Sequence, residues 1–309
     1  MRCIYAYYSK PFGSIDIRRA ETHWVIPHIE ILTIYFSVLK SKEFGFETVL
    51  FCDKYGKELL IDTFEIPFDI VKCELDFCET KLRWWASGKI YAYTKGIESL
   101  GGFGPFVMMD NDAGWLTKPP AHFLKSLYRC QSIHIDKGSE FESNVLRLVR
   151  ETNNEYPFDV FHEMVKSPDG VKGGNAGVLV IGSEELWKEF TRYTWDLMNN
   201  NWFDRLINEQ PRILNPYKAI GRWNVVVEEN LMFQLSRRIL KQQPETIYEF
   251  TGFIKPIESD NNGFFHIWGR KKNKKFLRDF EEYIIPYIGK EFTEKVYKYF
   301  YGSNKYSCD

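Results

Sequence analysis

Hydrophobic and polar positions follow two rhythms along the first hundred residues. Residues 2 to 8 are a run of apolar and aromatic side chains that stops at Ser9-Lys10-Pro11, which predicts a strand followed by a breaker. From Trp24 to Lys42 the spacing changes, with Ile31, Ile34, Tyr35, Val38 and Leu39 at helical intervals, and a core-facing helix is expected. The β-rich run Phe-Glu-Thr-Val-Leu-Phe-Cys-Asp at 46–53 predicts the next strand, Tyr55 to Phe64 a short helix, and Ile70 the centre of a brief third strand. Strand, helix, strand, helix, strand is the order of an α/β layer with a parallel sheet.

Farther along, Leu82, Trp85, Ile90, Tyr93 and Ile97 place a helix over Thr80–Leu100, closed by Gly101-Gly102. A strand at Pro105–Met109 follows and carries Asp110-Asn111-Asp112 at its carboxyl end. Ligands of open parallel sheets collect outside the carboxyl ends of the strands. Residues 138–172 are polar and aperiodic apart from a helical patch near 144–152, and read as an excursion or lid. A strand at Ala176–Ile181 is then followed by Ser183, a capping residue, with Glu184 and Glu185 opening a helix that runs to about Asn200. At 224–240 a strand-like valine run joins a helix carrying Leu231, Leu235 and Ile239, and an amphipathic C-terminal helix is expected from Phe276 to about Tyr301. Neither an internal repeat nor a low-complexity linker interrupts the chain, so residues 1–309 are expected to form a single domain.

Composition narrows the classes of function. The chain has 309 residues, 44% of them apolar, enough for a substantial core. Its 41 basic and 42 acidic residues leave a net charge of -1, so no global field draws it to nucleic acid and an anionic ligand needs a local site. No run approaches the roughly 18 apolar residues of a membrane span. The N-terminal run lacks the apolar core and cleavage site of a secretory signal, and a cytoplasmic location is expected. The six cysteines show no CxxC pair and no zinc-finger spacing, which predicts reduced, mostly buried thiols. Aromatic residues reach 17%, a surplus suited to cores and also to stacking on sugars or bases.

Three stretches carry candidate chemistry. Residues two apart on an extended strand face one side, so Asp110 and Asp112 are placed to share one cation, although an acid-x-acid triplet also suits a solvated turn. His266, between Phe265 and Ile267, is either a packed core histidine or a third ligand. Gly269 after it permits close backbone approach, and Arg270, Lys271 and Lys272 supply charge for a phosphate or open the last helix as solvated residues. Oxygen ligands with one imidazole suit Mn²⁺ or Mg²⁺. In Gly-Gly-Asn-Ala-Gly-Val-Leu-Val, at 173–180, the glycines explain a turn, while Asn175 is an amide suited to a polyhydroxylated ligand.

Taken in order, a strand ending in Asp-x-Asp, an Asn-Ala-Gly-Val-Leu-Val strand and a late His-x-x-Gly-x-x-Lys resemble the glycosyltransferases of the GT-A fold, particularly family 8 (glycogenin- and galactosyltransferase-like) enzymes. The resemblance spans residues 2 to 272. It implies a Rossmann-like mixed central sheet flanked by helices, and transfer, with retention, of a sugar from a nucleotide-diphosphate sugar, a UDP-sugar favoured. It implies a glycan, lipid-linked or protein acceptor and a role in glycan or polysaccharide biosynthesis. It further implies that Asp110, Asp112 and His266 hold Mn²⁺ or Mg²⁺ on the donor diphosphate. Lys272 would contact that diphosphate, and Tyr5, Ala6 and Tyr7 would lie by the nucleobase. Arg83 or Lys89, together with Asn111 and Gly269, would line the donor. Asn175, Ala176 and Gly177 would face the acceptor, as would Glu228 or Glu229. Such a carboxylate would be the general base of an inverting enzyme, or steady an oxocarbenium-like centre in a retaining one. The sequence departs from the family at Ala6-Tyr7-Tyr8, where Thr-Asp is usual, at Met109, where Leu is usual, and at Glu228-Glu229-Asn230, a loose counterpart of Asp-Gln-Asp. Two rivals are a non-catalytic nucleotide-sugar or glycan-binding module and a metal-dependent phosphohydrolase or nucleotidyltransferase. The second is disfavoured by the lack of a phosphate-cradling Gly-rich loop after the first strand. The basic and aromatic C-terminal segment either rests on a membrane surface or is a solvated helix.

Overall fold

A computed structural model describes residues 1–8, 26–77, 87–131, 133–136, 160, 171–174, 176–199, 226–242, 245–246, 263–267 and 270–302. Arg83, Asn175, Gly269 and nearly all of the 138–172 excursion lie outside the described residues.

The first strand, β1 (Arg2–Tyr7), is buried along its whole length after Arg2. Its side chains alternate between two cores, Ile4 and Ala6 on one face and Cys3, Tyr5 and Tyr7 on the other. A strand covered on both faces reads as a continuous apolar run, as this one does. It pairs in parallel with β2 (Glu47–Cys52), which pairs in parallel with β3 (Ile70–Cys73). On its other side β1 pairs in parallel with β4 (Phe106–Met109). The chain then forms β5 (Ala113–Trp115), β6 (Tyr128–Cys130), β7 (Ile133–Asp136), β8 (Val171–Gly174), β9 (Val178–Ile181), β10 (Glu245–Thr246) and β11 (Phe264–His266). The main sheet has seven strands in the order β10-β6-β9-β4-β1-β2-β3. Only β9 opposes its neighbours, antiparallel to both β4 and β6, so the sheet is mixed and mostly parallel.

Helices cover both faces. On one lie α1 (His28–Glu43) and two C-terminal helices, α5 (Lys274–Ile288) and α6 (Lys290–Tyr301), packing Ile31, Ile34, Leu277, Phe280 and Val296 into the core. On the other lie α2 (Ser87–Tyr93), α3 (Glu184–Asn199) and α4 (Met232–Leu240), which contribute Ile90, Tyr93, Leu186, Phe190 and Leu235. Burying one large apolar side chain of this kind stabilises a fold by about 1.5–3 kcal/mol, so the helical stripes explain why the layers hold. The expected α/β architecture, a mixed central sheet flanked by helices, is therefore the observed one. No helix among the described residues is long and apolar enough to cross a membrane.

Several elements differ from their sequence signals. The valine run does not form a strand: Val226–Leu231 is a π-helical turn that leads directly into α4. β-propensity is context-dependent, and here the buried Glu228 and Leu231 fix the helical path. The predicted helix over 80–100 is described only from Ser87, and it breaks at Thr94 before a short helix at Lys95–Ser99. The Thr94 hydroxyl bonds back to the Ile90 carbonyl at 2.6 Å. The single C-terminal helix is two, divided at Gly289, whose φ of 85° and ψ of 152° end α5 just after Pro286. Ser183 does cap α3, its hydroxyl accepting from the Leu186 amide at 3.2 Å. Among the described residues Cys3, Cys52, Cys73 and Cys130 are free thiols, and Cys73 is exposed.

Candidate functional site

Parallel strands β3, β2 and β1 build in one direction, and β4 then adds on the far side of β1, so the strand order reverses between β1 and β4. Such a reversal opens a crevice at the carboxyl edge of the sheet. The Asp110-Asn111-Asp112 triplet stands at that edge.

The carboxylates converge through a turn rather than through strand alternation. β4 stops at Met109, the Ala113 amide donates to the Asp110 carbonyl at 3.1 Å, and the chain reverses into β5. Asn111 holds this turn to the first strand by donating its amide to the Ala6 carbonyl at 2.9 Å. Thus two residues expected at the donor, Ala6 and Asn111, bond to each other and fix the crevice wall. Tyr5 lies elsewhere: its ring is fully buried, its hydroxyl is 2.9 Å from both Ser37 and Ser41, and it offers no face for a nucleobase. Tyr7 is likewise buried, packed under Gly56.

His266 reaches the triplet by a separate ladder. β11 pairs antiparallel with β5, setting His266 opposite Ala113, and the Ile267 amide donates to the Asp112 carbonyl at 2.9 Å. Imidazole Nε2 consequently lies 3.4 Å from Asp112 Oδ1 and 3.8 Å from Asp110 Oδ2. One ligand atom from each of the three residues falls within 4.8 Å of the other two. The His266 side chain is only 5% exposed, and its Nε2 has no hydrogen-bond partner among the described residues. A buried imidazole nitrogen that no described group hydrogen-bonds is costly unless something is bound there. Two carboxylates and one imidazole therefore fit a divalent cation such as Mn²⁺ or Mg²⁺.

Two lysines flank this set. Lys271 Nζ is 2.8 Å from Asp112 Oδ2, and Lys89, from α2, forms ion pairs with both Asp110 and Glu228. Burial alone would lower the Lys89 pKa, but the carboxylates of Asp110 and Glu228 outweigh it and hold the ammonium well above its ordinary range. Burial likewise pushes the Asp112 carboxyl up, and Lys271 and then His266 pull it below the usual carboxylate range. Glu228 is buried and also accepts from the Tyr93 hydroxyl at 3.1 Å. Its neighbour Glu229 accepts from the Ala176 amide at 3.3 Å. Burial, and then the charge of Glu228, push Glu229 up to about 8. At neutral pH it keeps its proton.

The geometry thus gathers Asp110, Asp112, His266, Lys89, Glu228 and Glu229 around one crevice. Gly177 enters it through its backbone, its carbonyl accepting from the Asp110 amide at 3.0 Å. Ala176 is buried beside it. Lys272 is exposed, and the lysine that touches the acidic set is its neighbour Lys271. Tyr93 and Gln131 were not foreseen. Tyr93 reads as one more apolar position of a helical stripe, and Gln131 as an unremarked polar residue after β6, so neither carried a local signal.

With a fold of this class and this site in place, membership follows: the chain belongs to the family described as DUF6734, a family of unknown function, matched over residues 1–299. No curated protein matches the sequence. Among solved structures it is similar to the apo form of mouse xyloside xylosyltransferase 1, at 9% identity over 73% of this chain and 80% of that one, with a TM-score of 0.37. It is also similar to the galactosyltransferase LgtC in complex with donor and acceptor sugar analogs, at 12% identity over 92% and 95% of the two chains, with a TM-score of 0.40. An active-site mutant of LgtC matches at 13% identity over 91% and 94%, with a TM-score of 0.42.

Proposed function

We propose that the chain is a GT-A-type glycosyltransferase that moves a sugar from a nucleotide-diphosphate sugar, a UDP-sugar favoured, to a hydroxyl of a glycan, lipid-linked or protein acceptor. The observation that carries this reading is the convergence of Asp110, Asp112 and His266, with Nε2 of His266 buried and lacking a hydrogen bond among the described residues, at the crevice beside β1 and β4. When bound there, Mn²⁺ or Mg²⁺ would neutralise charge on the leaving diphosphate. Asp110, Asp112 and His266 would hold it.

The chain's own residues supply the rest. Lys271, next to Asp112, and Lys272, one residue on, present cationic charge to a departing diphosphate, an electrostatic contribution of the kind that is large in a water-poor site. Lys89 and Asn111 keep the Asp110 turn in place beside the donor. Burial, against the opposing pull of Lys89, raises the Glu228 carboxyl above its ordinary range; paired with Lys89 and hydrogen-bonded by Tyr93, its ionised form would steady positive charge at an anomeric carbon, which favours a retaining course. Protonated Glu229 is a hydrogen-bond donor rather than a base, and with Ala176 and Gly177 it lines the acceptor side. Arg83, Asn175 and Gly269 keep the donor and acceptor roles that the resemblance gives them. The product would serve glycan or polysaccharide biosynthesis.

The test is a thermal-shift screen of nucleoside diphosphates and their sugars with and without Mn²⁺, followed by assay of transfer and of the product anomer by NMR. Cation-dependent stabilisation by one nucleotide, with turnover lost in excess EDTA, is expected. Full turnover in EDTA would sink the proposal, and stabilisation without turnover on any acceptor would leave a binding module instead.

A further inference from the structure

The cation site of the preceding section, on which this inference rests, depends on which nitrogen of His266 carries the proton. Only an unprotonated Nε2 has the lone pair that a cation takes, and a free imidazole prefers neither tautomer strongly enough to guarantee it. The answer lies behind the ring. Nδ1 of His266 is 2.8 Å from Oε1 of Gln131, a residue directly after β6 that is itself only 8% exposed. An amide oxygen accepts and never donates, so this contact places a proton on Nδ1, and the neutral ring that a cation binds then carries its lone pair on Nε2, toward Asp110 and Asp112.

Gly177 completes the arrangement. A Cβ at this position would fall 2.3 Å from Gln131 Oε1 and 2.5 Å from His266 Nδ1, far inside contact distance. Any side chain at 177 would push the ring and the amide apart. The same glycine takes the Asp110 amide on its carbonyl, so one residue both seats a carboxylate ligand and leaves room for the pair that orients the imidazole.

We propose that Gln131 is a positioning residue for cation binding: it holds His266 in the Nδ1–H tautomer with Nε2 aimed at the site, and the absence of a side chain at Gly177 is what admits it. Outer partners of this kind orient a ligating histidine and typically change metal affinity by about 10–100-fold when removed.

The experiment uses the full chain with ¹⁵N-labelled histidine, and Mn²⁺ alone as the probe. Long-range ¹H–¹⁵N correlation spectra of the metal-free protein are expected to show His266 protonated at Nδ1, with the resonance assigned by its loss in His266→Gln. In Gln131→Leu the tautomers should mix, and Mn²⁺ affinity, read from the EPR signal of free Mn²⁺, should fall about 10–100-fold. Gln131→Glu keeps an oxygen acceptor in place, so it should keep the tautomer and bind Mn²⁺ within about threefold of wild type. Wild type that takes up no Mn²⁺ overturns the cation site and with it the purpose assigned to Gln131. Wild type that binds Mn²⁺ with its proton on Nε2 overturns the role of Gln131 alone, as does Gln131→Leu with unchanged tautomer and affinity.

Discussion

Asp112 is the most constrained carboxylate of the crevice, facing His266 Nε2 on one oxygen and Lys271 on the other. Asp112→Asn keeps the shape and removes the charge, so it should abolish Mn²⁺-dependent stabilisation by nucleoside diphosphates while the metal-free protein still unfolds cooperatively. Residual Mn²⁺ dependence in that variant, measured by calorimetry, would show that the cation sits elsewhere. Glu229 offers a test through pH. Its pKa in the fold is about 8 against an ordinary 4.5, so the folded state holds a proton that the unfolded state has already released between those values. The stability from this group is complete below about 4.5 and is lost as pH rises through about 8. Glu229→Gln removes the titration. In EDTA, the stability gap in favour of the variant should widen by about 1–3 kcal/mol from pH 5 to pH 8, read by urea unfolding at each pH. A gap that stays constant would mean that Glu229 ionises normally.

At the scale of elements, the break between α5 and α6 rests on Gly289, whose φ of 85° and ψ of 152° lie in a region other residues rarely enter. Gly289→Ala should cost about 1–3 kcal/mol in chemical unfolding and leave Mn²⁺ binding unchanged, because the 15 residues of α5 separate the turn from Lys271. A loss below about 0.5 kcal/mol would argue that the break is set by Pro286 instead. This is also the scale at which the sequence was most and least informative. The β1, α1, β2 and β4 segments are legible because a doubly covered parallel sheet leaves continuous apolar runs, and an amphipathic helix leaves a spaced stripe. Val226–Leu231 was not, since three valines signal a strand while the helical path comes from burial of residues after them. The acidic triplet reads from sequence as a candidate ligand pair through strand alternation or as a solvated turn, whereas it is a turn closed by Ala113 and anchored by Asn111 that brings the carboxylates together. Lys271 rather than Lys272 touching Asp112, and Gln131 behind His266, are long-range facts with no trace in local spacing.

Across the whole molecule, α1 and the C-terminal helices are joined by a buried polar cluster. His28 pairs with Glu281 at 2.8 Å and with the Tyr301 hydroxyl at 2.8 Å, and Tyr297 donates to Glu281. His28 and Glu281 are 1% and 2% exposed, so removing one costs the other a hydrogen bond that solvent does not replace. His28→Leu should therefore destabilise the protein by about 1–3 kcal/mol, and His28→Leu with Glu281→Leu should recover much of that loss, as judged by denaturant midpoints. If the double variant is no better than the single one, packing rather than hydrogen bonding governs this joint. A further consequence follows from the short ladder between β5 and β11. Asp112 and His266 are 154 residues apart (266 minus 112), yet they meet through a three-residue pairing. At about 5–20 residues per second of synthesis, the aspartates precede the histidine out of the ribosome by about 8–30 s. During that interval the growing chain carries both carboxylates and lacks its imidazole, so the proposed cation site is completed only late in the making of each molecule, and a chain interrupted before residue 266 never has the full set.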